Sequence, residues 1–162
     1  MKEIVLNTKI KVCALAEQTE SHQRLTAAAV EAASRAYAPY SKFNVGAAVL
    51  LGNGEIVTGN NQENAAYPSG LCAERVALFY AGSRYPDVPI VALAIAAFTA
   101  GRQVEQISPC GACRQVLLES EMRAASPITI LLCGSSEVYI LPSAASLLPF
   151  CFDGSELTPP FH

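Results

Sequence analysis

The sequence predicts an α/β protein: a three-layer α/β/α sandwich on a mixed five-stranded sheet whose last two strands run antiparallel. Three observations carry that expectation. Helix-type and strand-type segments alternate along the chain, an order that lays helices over a sheet. The run from Ile90 to Phe98 is apolar throughout, as in a strand buried on both faces. The two final strand segments are separated only by Cys133-Gly134-Ser135-Ser136-Glu137, too little chain for the crossover that a parallel pair requires.

The elements follow in order. An Ala-rich segment from about Glu20 to Ala36 places Leu25, Ala28, Ala29 and Ala32 on one helical face. Ala38-Pro39-Tyr40-Ser41 ends that helix. Asn44 to Leu51 alternates as a strand, Gly52-Asn53-Gly54 signals a hairpin, and Glu55 to Gly59 returns. A polar loop covers Asn60 to Gly70. A second helix is expected to start near Leu71, to put Cys72, Arg75, Val76 and Phe79 along one side, and to stop by Gly82. After the Ile90–Phe98 strand, Ser108 as N-cap and Pro109 at the first helical position open a third helix running to about Ser120. Ile128 to Leu132 and Val138 to Leu141 are short strands, and a last short helix spans about Ser143 to Leu148. The expected organisation is a single domain over 1–162: an extension at 1–19, a core at 20–152 and a tail at 153–162.

Composition narrows the class of function. Half the residues (51%) are hydrophobic and 15% are charged in a chain of 162. So thin a polar coat predicts that some apolar surface is buried between subunits. The net charge of −3 and the absence of any basic run argue against a nucleic-acid partner, which clustered Lys and Arg would serve. No apolar run approaches the roughly 20 residues of a membrane span, and the opening residues do not form a signal peptide. The expected location is the cytoplasm, where six cysteines serve as thiols or ligands rather than disulfides.

Chemistry concentrates in two short runs, Cys72-Ala73-Glu74-Arg75 and Pro109-Cys110-Gly111-Ala112-Cys113-Arg114-Gln115. Cys110 and Cys113, three apart at a helix start, direct their sulfurs to the same side. Cys72 opens another helix, where unpaired N–H groups favour a thiolate. Three thiolates can hold one Zn²⁺ and leave its fourth position open, as in a catalytic site. Such a site carries excess negative charge, which Arg75 is placed to draw off by hydrogen-bonding the sulfurs. Glu74, two residues beyond a ligand, can approach the open position without ligating, which suits a proton shuttle. By spacing alone, a redox pair or a structural zinc site with Cys133 or His22 as fourth ligand stays open.

The chain is identified here by resemblance to the small homotetrameric cytidine deaminases. The likeness extends over about Tyr37 to Phe152. Besides the two cysteine runs it includes Pro39-Tyr40-Ser41 with Phe43, Val45-Gly46-Ala47-Ala48, Gly59 to Ala65, Tyr67-Pro68 and Leu147-Leu148-Pro149. The resemblance implies hydrolytic deamination of cytidine and deoxycytidine to uridine and deoxyuridine in pyrimidine salvage. Ammonia is released, through a zinc-activated water and a glutamate proton shuttle, a scheme shared by zinc deaminases at large. It implies one Zn²⁺ per subunit on Cys72, Cys110 and Cys113, with Glu74 serving N3 of the base and then the leaving ammonia. The backbone N–H of Ala73 would meet the base carbonyl, and the Ser108 carbonyl the leaving amino group. Asn61 and Glu63 would hold the ribose hydroxyls, and Phe43 would pack on the base. Tyr67 and Phe152 would complete sites across subunit boundaries, with Phe150 a close rival of Phe152. Arg75 and Gln115 stand behind the ligands. Cys13, Cys133 and Cys151 read as small apolar residues, and His22 and His162 have no role.

Three rival readings share parts of this pattern. Nucleotide and polynucleotide deaminases resemble this pattern with His as first ligand, whereas this chain has Cys72. A blasticidin-type deaminase shares the Cys-Ala-Glu and Pro-Cys-Gly-Ala-Cys runs, but Asn61 to Tyr67 looks more like a nucleoside site. A non-catalytic zinc module would be expected to lose Glu74.

Overall fold

The computed structural model describes residues 1–155 and 157; most of the expected tail, His162 included, lies outside them. The strands are β1 (Lys11–Ala14), β2 (Phe43–Leu51), β3 (Ile56–Asn60), β4 (Ile90–Thr99), β5 (Arg102–Gln103), β6 (Thr129–Cys133) and β7 (Glu137–Leu141). The helices are α1 (Glu20–Ala33), α2 (Ala73–Arg84) and α3 (Gly111–Ala124). The sheet therefore has seven strands, not five, in the order β1-β7-β6-β4-β2-β3, with β5 paired to β4. Both additions escape a search for periodicity because they are four and two residues long. β1 comes from residues 1–19 and pairs antiparallel with β7, Val12 opposite Tyr139. The sheet is mixed as expected: β4 and β6 are parallel, and β6 and β7 are antiparallel, with Cys133 opposite Val138.

The sheet separates two cores, and β4 contributes to both by simple alternation. Ala92, Ala94 and Ala96 face Leu25 and Ala29 of α1. Leu93 and Ile95 face Ala73, Ala77 and Ala81 of α2 and Leu117 of α3. Small side chains on one face let α1 lie close; large ones fill the space under two helices. Two glycines set these approaches. A Cβ on Gly46 would collide with the Ala29 carbonyl, and one on Gly59 would sit 2.6 Å from both Ala73 O and Ala77 N. Gly59 thus seats the first turn of α2, with its cysteine and glutamate, directly on β3.

Helix boundaries depart from expectation where they matter most. α1 begins as predicted, with Thr19 Oγ1 accepting from His22 N at 3.3 Å. α2 begins at Ala73, with Cys72 extended in the cap position, and runs through Gly82 to Arg84. Its buried face is Ala73, Glu74, Ala77, Leu78 and Ala81; Phe79 is half exposed rather than packed. α3 begins at Gly111 with Cys110 as cap, so Ser108 and Pro109 precede the helix instead of opening it. Pro109 is buried, and its carbonyl accepts from Arg114 Nε at 2.9 Å. α3 passes Ser120 because Met122, Arg123 and Ala124 are all good helix formers. The last short helix is a 3-10 turn, Ala144–Leu147, capped by Ser143. No helix among the described residues is long and apolar enough to cross a membrane.

Candidate active site

Cys72 and Cys110 occupy equivalent places: each caps a helix, and each has an extended backbone, φ −70° and ψ 152° for Cys72 and φ −66° and ψ 165° for Cys110. Two helix N-termini thereby converge, and their free N–H groups and dipoles favour anionic sulfur. Cys113 joins from the first turn of α3 and is buried. The Sγ atoms of Cys72 and Cys110 are 3.8 Å apart and those of Cys110 and Cys113 3.4 Å, and all three lie within 4.8 Å of one another. A tetrahedral Zn²⁺ with sulfur at about 2.3 Å calls for sulfur–sulfur separations of about 3.8 Å. The donor set fits zinc in both softness and size. Cys133 lies in the other core, bonded to Thr26 Oγ1 and the Leu131 carbonyl, and is no fourth ligand.

Arg75 Nη2 donates to Cys72 Sγ at 3.7 Å, the contact expected from its position. Its Nε is buried and has no partner among the described residues. Burial raises the Cys72 thiol above its ordinary range, and the Arg75 bond works against that rise. Burial, then the nearby Glu74 charge, raises Cys113 much further. For Cys110, burial acts upward but is outweighed by hydrogen bonds from Cys113 and Cys72, so its thiol is lowered. Glu74 is only 4% exposed, and burial holds its carboxyl above the usual carboxylate range, partly offset by hydrogen bonds and the Arg75 charge.

A cleft of about 470 Å³ opens beside Cys72, lined by Tyr40, Ser41, Asn61, Gln62, Glu63, Asn64, Tyr67, Gly70, Leu71, Cys72 and Arg75. It brings Asn61, Glu63 and Tyr67 to the same side of the molecule as the first ligand. Asn61 is tied to β2 at both ends of its amide: Oδ1 accepts from Val45 N at 2.8 Å and Nδ2 donates to Phe43 O at 2.9 Å. One N–H and one lone pair of that amide remain. Glu63 Oε2 accepts from Tyr40 N at 2.8 Å and Ser41 N at 3.2 Å, and Oε1 accepts from the Ser41 hydroxyl. The Ser41 hydroxyl, ahead of the two backbone N–H groups, lowers the Glu63 pKa. Tyr67 is 73% exposed and meets Tyr40 edge to face at 6.1 Å. Phe43, half-buried at the start of β2, does not line the cleft, nor do Ser108, Gln115 and Phe152. Gln115 Nε2 donates to the Phe152 carbonyl at 2.8 Å, while the Phe152 ring is 64% exposed.

Three residues carry contacts that no sequence signal assigned: Tyr40 and Ser41, which hold Glu63, and Arg114, which bonds Pro109. The first two stood in the Pro39-Tyr40-Ser41 run, read as a helix stop and as part of the family resemblance, with no contact assigned to either.

A thiolate metal site at two helix N-termini, with a buried carboxylate beside it on an α/β/α sheet, defines a class of zinc hydrolases. The family described as "Cytidine and deoxycytidylate deaminase zinc-binding region" matches residues 19–127, and the chain belongs to it. A cytidine deaminase of Sporosarcina psychrophila is 42% identical over 137 residues, covering 84% of this chain and 94% of its own. One of Halalkalibacterium halodurans is 46% identical over 97 residues, covering 60% of this chain and 70% of its own. Among solved structures, the cytidine deaminase of Burkholderia pseudomallei superposes with a TM-score of 0.70 at 40% identity, covering 81% of this chain and 98% of its own. The protein is a zinc-dependent enzyme of this deaminase family.

Proposed function

We propose that this enzyme hydrolyses cytidine and deoxycytidine to uridine and deoxyuridine with release of ammonia. The observation that carries the proposal is the triad of sulfurs within 4.8 Å of one another beside a carboxylate that is 4% exposed. Cys72, Cys110 and Cys113 would hold a Zn²⁺ ion, which would supply the Lewis acidity that activates water in such sites; the base presents its C4 for attack. Glu74 takes the proton from the attacking water, passes it to N3, and then serves the departing amino group. Its raised pKa suits both halves of that task, since a carboxyl poised nearer neutrality gives up its proton as readily as it takes one. The Ala73 N–H donates to the base carbonyl, and the Ser108 carbonyl accepts from the amino group. Asn61 and Glu63 hold the ribose hydroxyls with the lone pairs and N–H left to them, and Phe43 packs on the base. Arg75 draws charge from Cys72, and Gln115 steadies the segment that carries Phe152.

The working form is a homotetramer with shared sites, and residues 20–152 form its catalytic core. The exposed rings of Tyr67, Phe150 (85%) and Phe152 support a neighbour's closing of the cleft. All six cysteines are unpaired, which supports work in the reducing cytoplasm. The test is loss of ultraviolet absorbance on cytidine and deoxycytidine with ammonia released in equal amount, alongside mass measurement by light scattering. An inactive zinc-loaded protein would end the substrate assignment, and a monomeric mass would end the assembly.

A further inference from the structure

Past β7 the chain is held to α3 at three places. Glu121 Oε1 accepts from Ala144 N at 2.6 Å and Oε2 from Ala145 N at 3.2 Å, while Oε1 also accepts from Ile128 N, just ahead of β6, at 2.6 Å. Two turns earlier on the same face, Arg114 Nη1 donates to the Leu147 carbonyl at 2.9 Å. An acid therefore meets the first N–H groups of the 3-10 turn Ala144–Leu147, and a base meets its last carbonyl. Gln115 Nε2 then takes the Phe152 carbonyl at 2.8 Å. Arg114 has a second engagement, Nε to the Pro109 carbonyl at 2.9 Å. It has no carboxylate partner among the described residues, so its charge is spent on two carbonyls.

The Pro109 carbonyl belongs to the peptide that leads into Cys110. Cys110 is the most exposed of the three sulfur ligands, Cys113 being buried and Cys72 half-buried. Packing around its side chain cannot set the direction of its sulfur; the backbone that carries it must. A planar guanidinium bonded to two carbonyls holds them in one relative geometry, which a flexible ammonium does less well, and each bond is charge-assisted.

We propose that Arg114 is a positioning residue that fixes both the peptide before Cys110 and the start of the C-terminal segment, so that one side chain serves metal retention and the placement of the segment carrying Phe150 and Phe152. This rests on the zinc and nucleoside reading above. Wild type, Arg114→Ala, Arg114→Lys and Gln115→Ala are compared as full-length, zinc-loaded protein at a temperature where each is folded. The readouts are zinc release to a chromogenic chelator, and kcat and KM for cytidine. Arg114→Ala is expected to release zinc about tenfold faster, the effect of losing a partner just outside a metal's ligands, and to raise KM. Arg114→Lys should recover part of the retention. Gln115→Ala should raise KM while leaving zinc release at the wild-type rate. Unchanged zinc release in Arg114→Ala overturns the proposal. So does faster release in Gln115→Ala of the same size, which would mean a general loosening of α3. Should Arg114→Ala fail to fold, the Lys variant decides by the same two readouts. If wild type does not deaminate cytidine, the substrate reading fails, yet zinc release still decides the role of Arg114.

Discussion

The cysteine cluster and the cleft that opens beside it at Cys72 are the two halves of the site, built on opposite principles. The metal half is assembled within one chain: two helix N-termini, a buried thiol and a buried carboxylate converge, with Cys110 at its exposed edge. The half with Asn61 and Glu63, proposed above to hold the sugar, is open and already occupied with its own scaffolding. Asn61 spends both ends of its amide on β2, and Glu63 spends both oxygens on the Tyr40–Ser41 turn. A catalytic centre needs groups with nothing else to do, held rigidly by neighbours. A binding wall can be made of groups that first hold the fold and then share their remaining valences with a ligand. The metal half should therefore respond to mutation through kcat and metal, and the sugar half through KM and stability together.

The largest expected effect is at Cys113. Cys113→Ala removes a buried ligand, and both bound zinc and measurable turnover should disappear; zinc retained at wild-type stoichiometry would break the assignment of the cluster. Next, Glu74→Ala should keep zinc and fold but lose about 10²- to 10⁴-fold in kcat, the range for a lost general acid–base group; turnover near wild type would remove Glu74 from the mechanism. A smaller and mixed effect is expected at Asn61. Asn61→Ala leaves the Val45 N–H and Phe43 carbonyl without partners, so stability should fall by about 1–3 kcal/mol in denaturant titration while KM rises. A rise in KM with no loss of stability would show that Asn61 has no scaffolding duty.

The smallest effect sharpens the contrast from outside the site. Burial pushes the Cys133 thiol from 9.0 to about 11. A raised acid stays protonated in the fold, so its contribution to stability is complete below pH 9 and is lost as pH rises through about 11. At pH 8, an alkylating reagent should modify exposed Cys151 and spare Cys133. Modification of both at equal rates would mean that the α1 core opens readily.

The cysteine runs and Glu74 were legible because their chemistry is local: a ligand, a cap and a carboxylate fall within a few residues of each other. The strands around β4 were legible for a similar reason, since alternation and continuous apolarity are written along a single segment. Strand β1 was not. Lys11-Val12-Cys13-Ala14 is too short for a pattern, and its partner β7 lies more than a hundred residues away in the chain. The starts of α2 and α3 were each placed about two residues early: Ser108-Pro109 is a good local opener, and no capping signal marks the true start of α2. In the fold, Cys72 and Cys110 take the cap positions instead.

By itself, then, the sequence determined the alternating layers, the antiparallel closing pair and the identity of a three-thiolate centre with a carboxylate beside it. Each follows from spacing, polarity or ligand chemistry within a short window. Tertiary structure alone decided that Gly59 seats α2 on β3, that Asn61 and Glu63 serve the scaffold, and that Arg114 joins the ligand loop to the C-terminal segment. Those contacts bridge positions far apart in the chain, and their partners are largely backbone groups, which every residue carries alike and which no sequence pattern can mark.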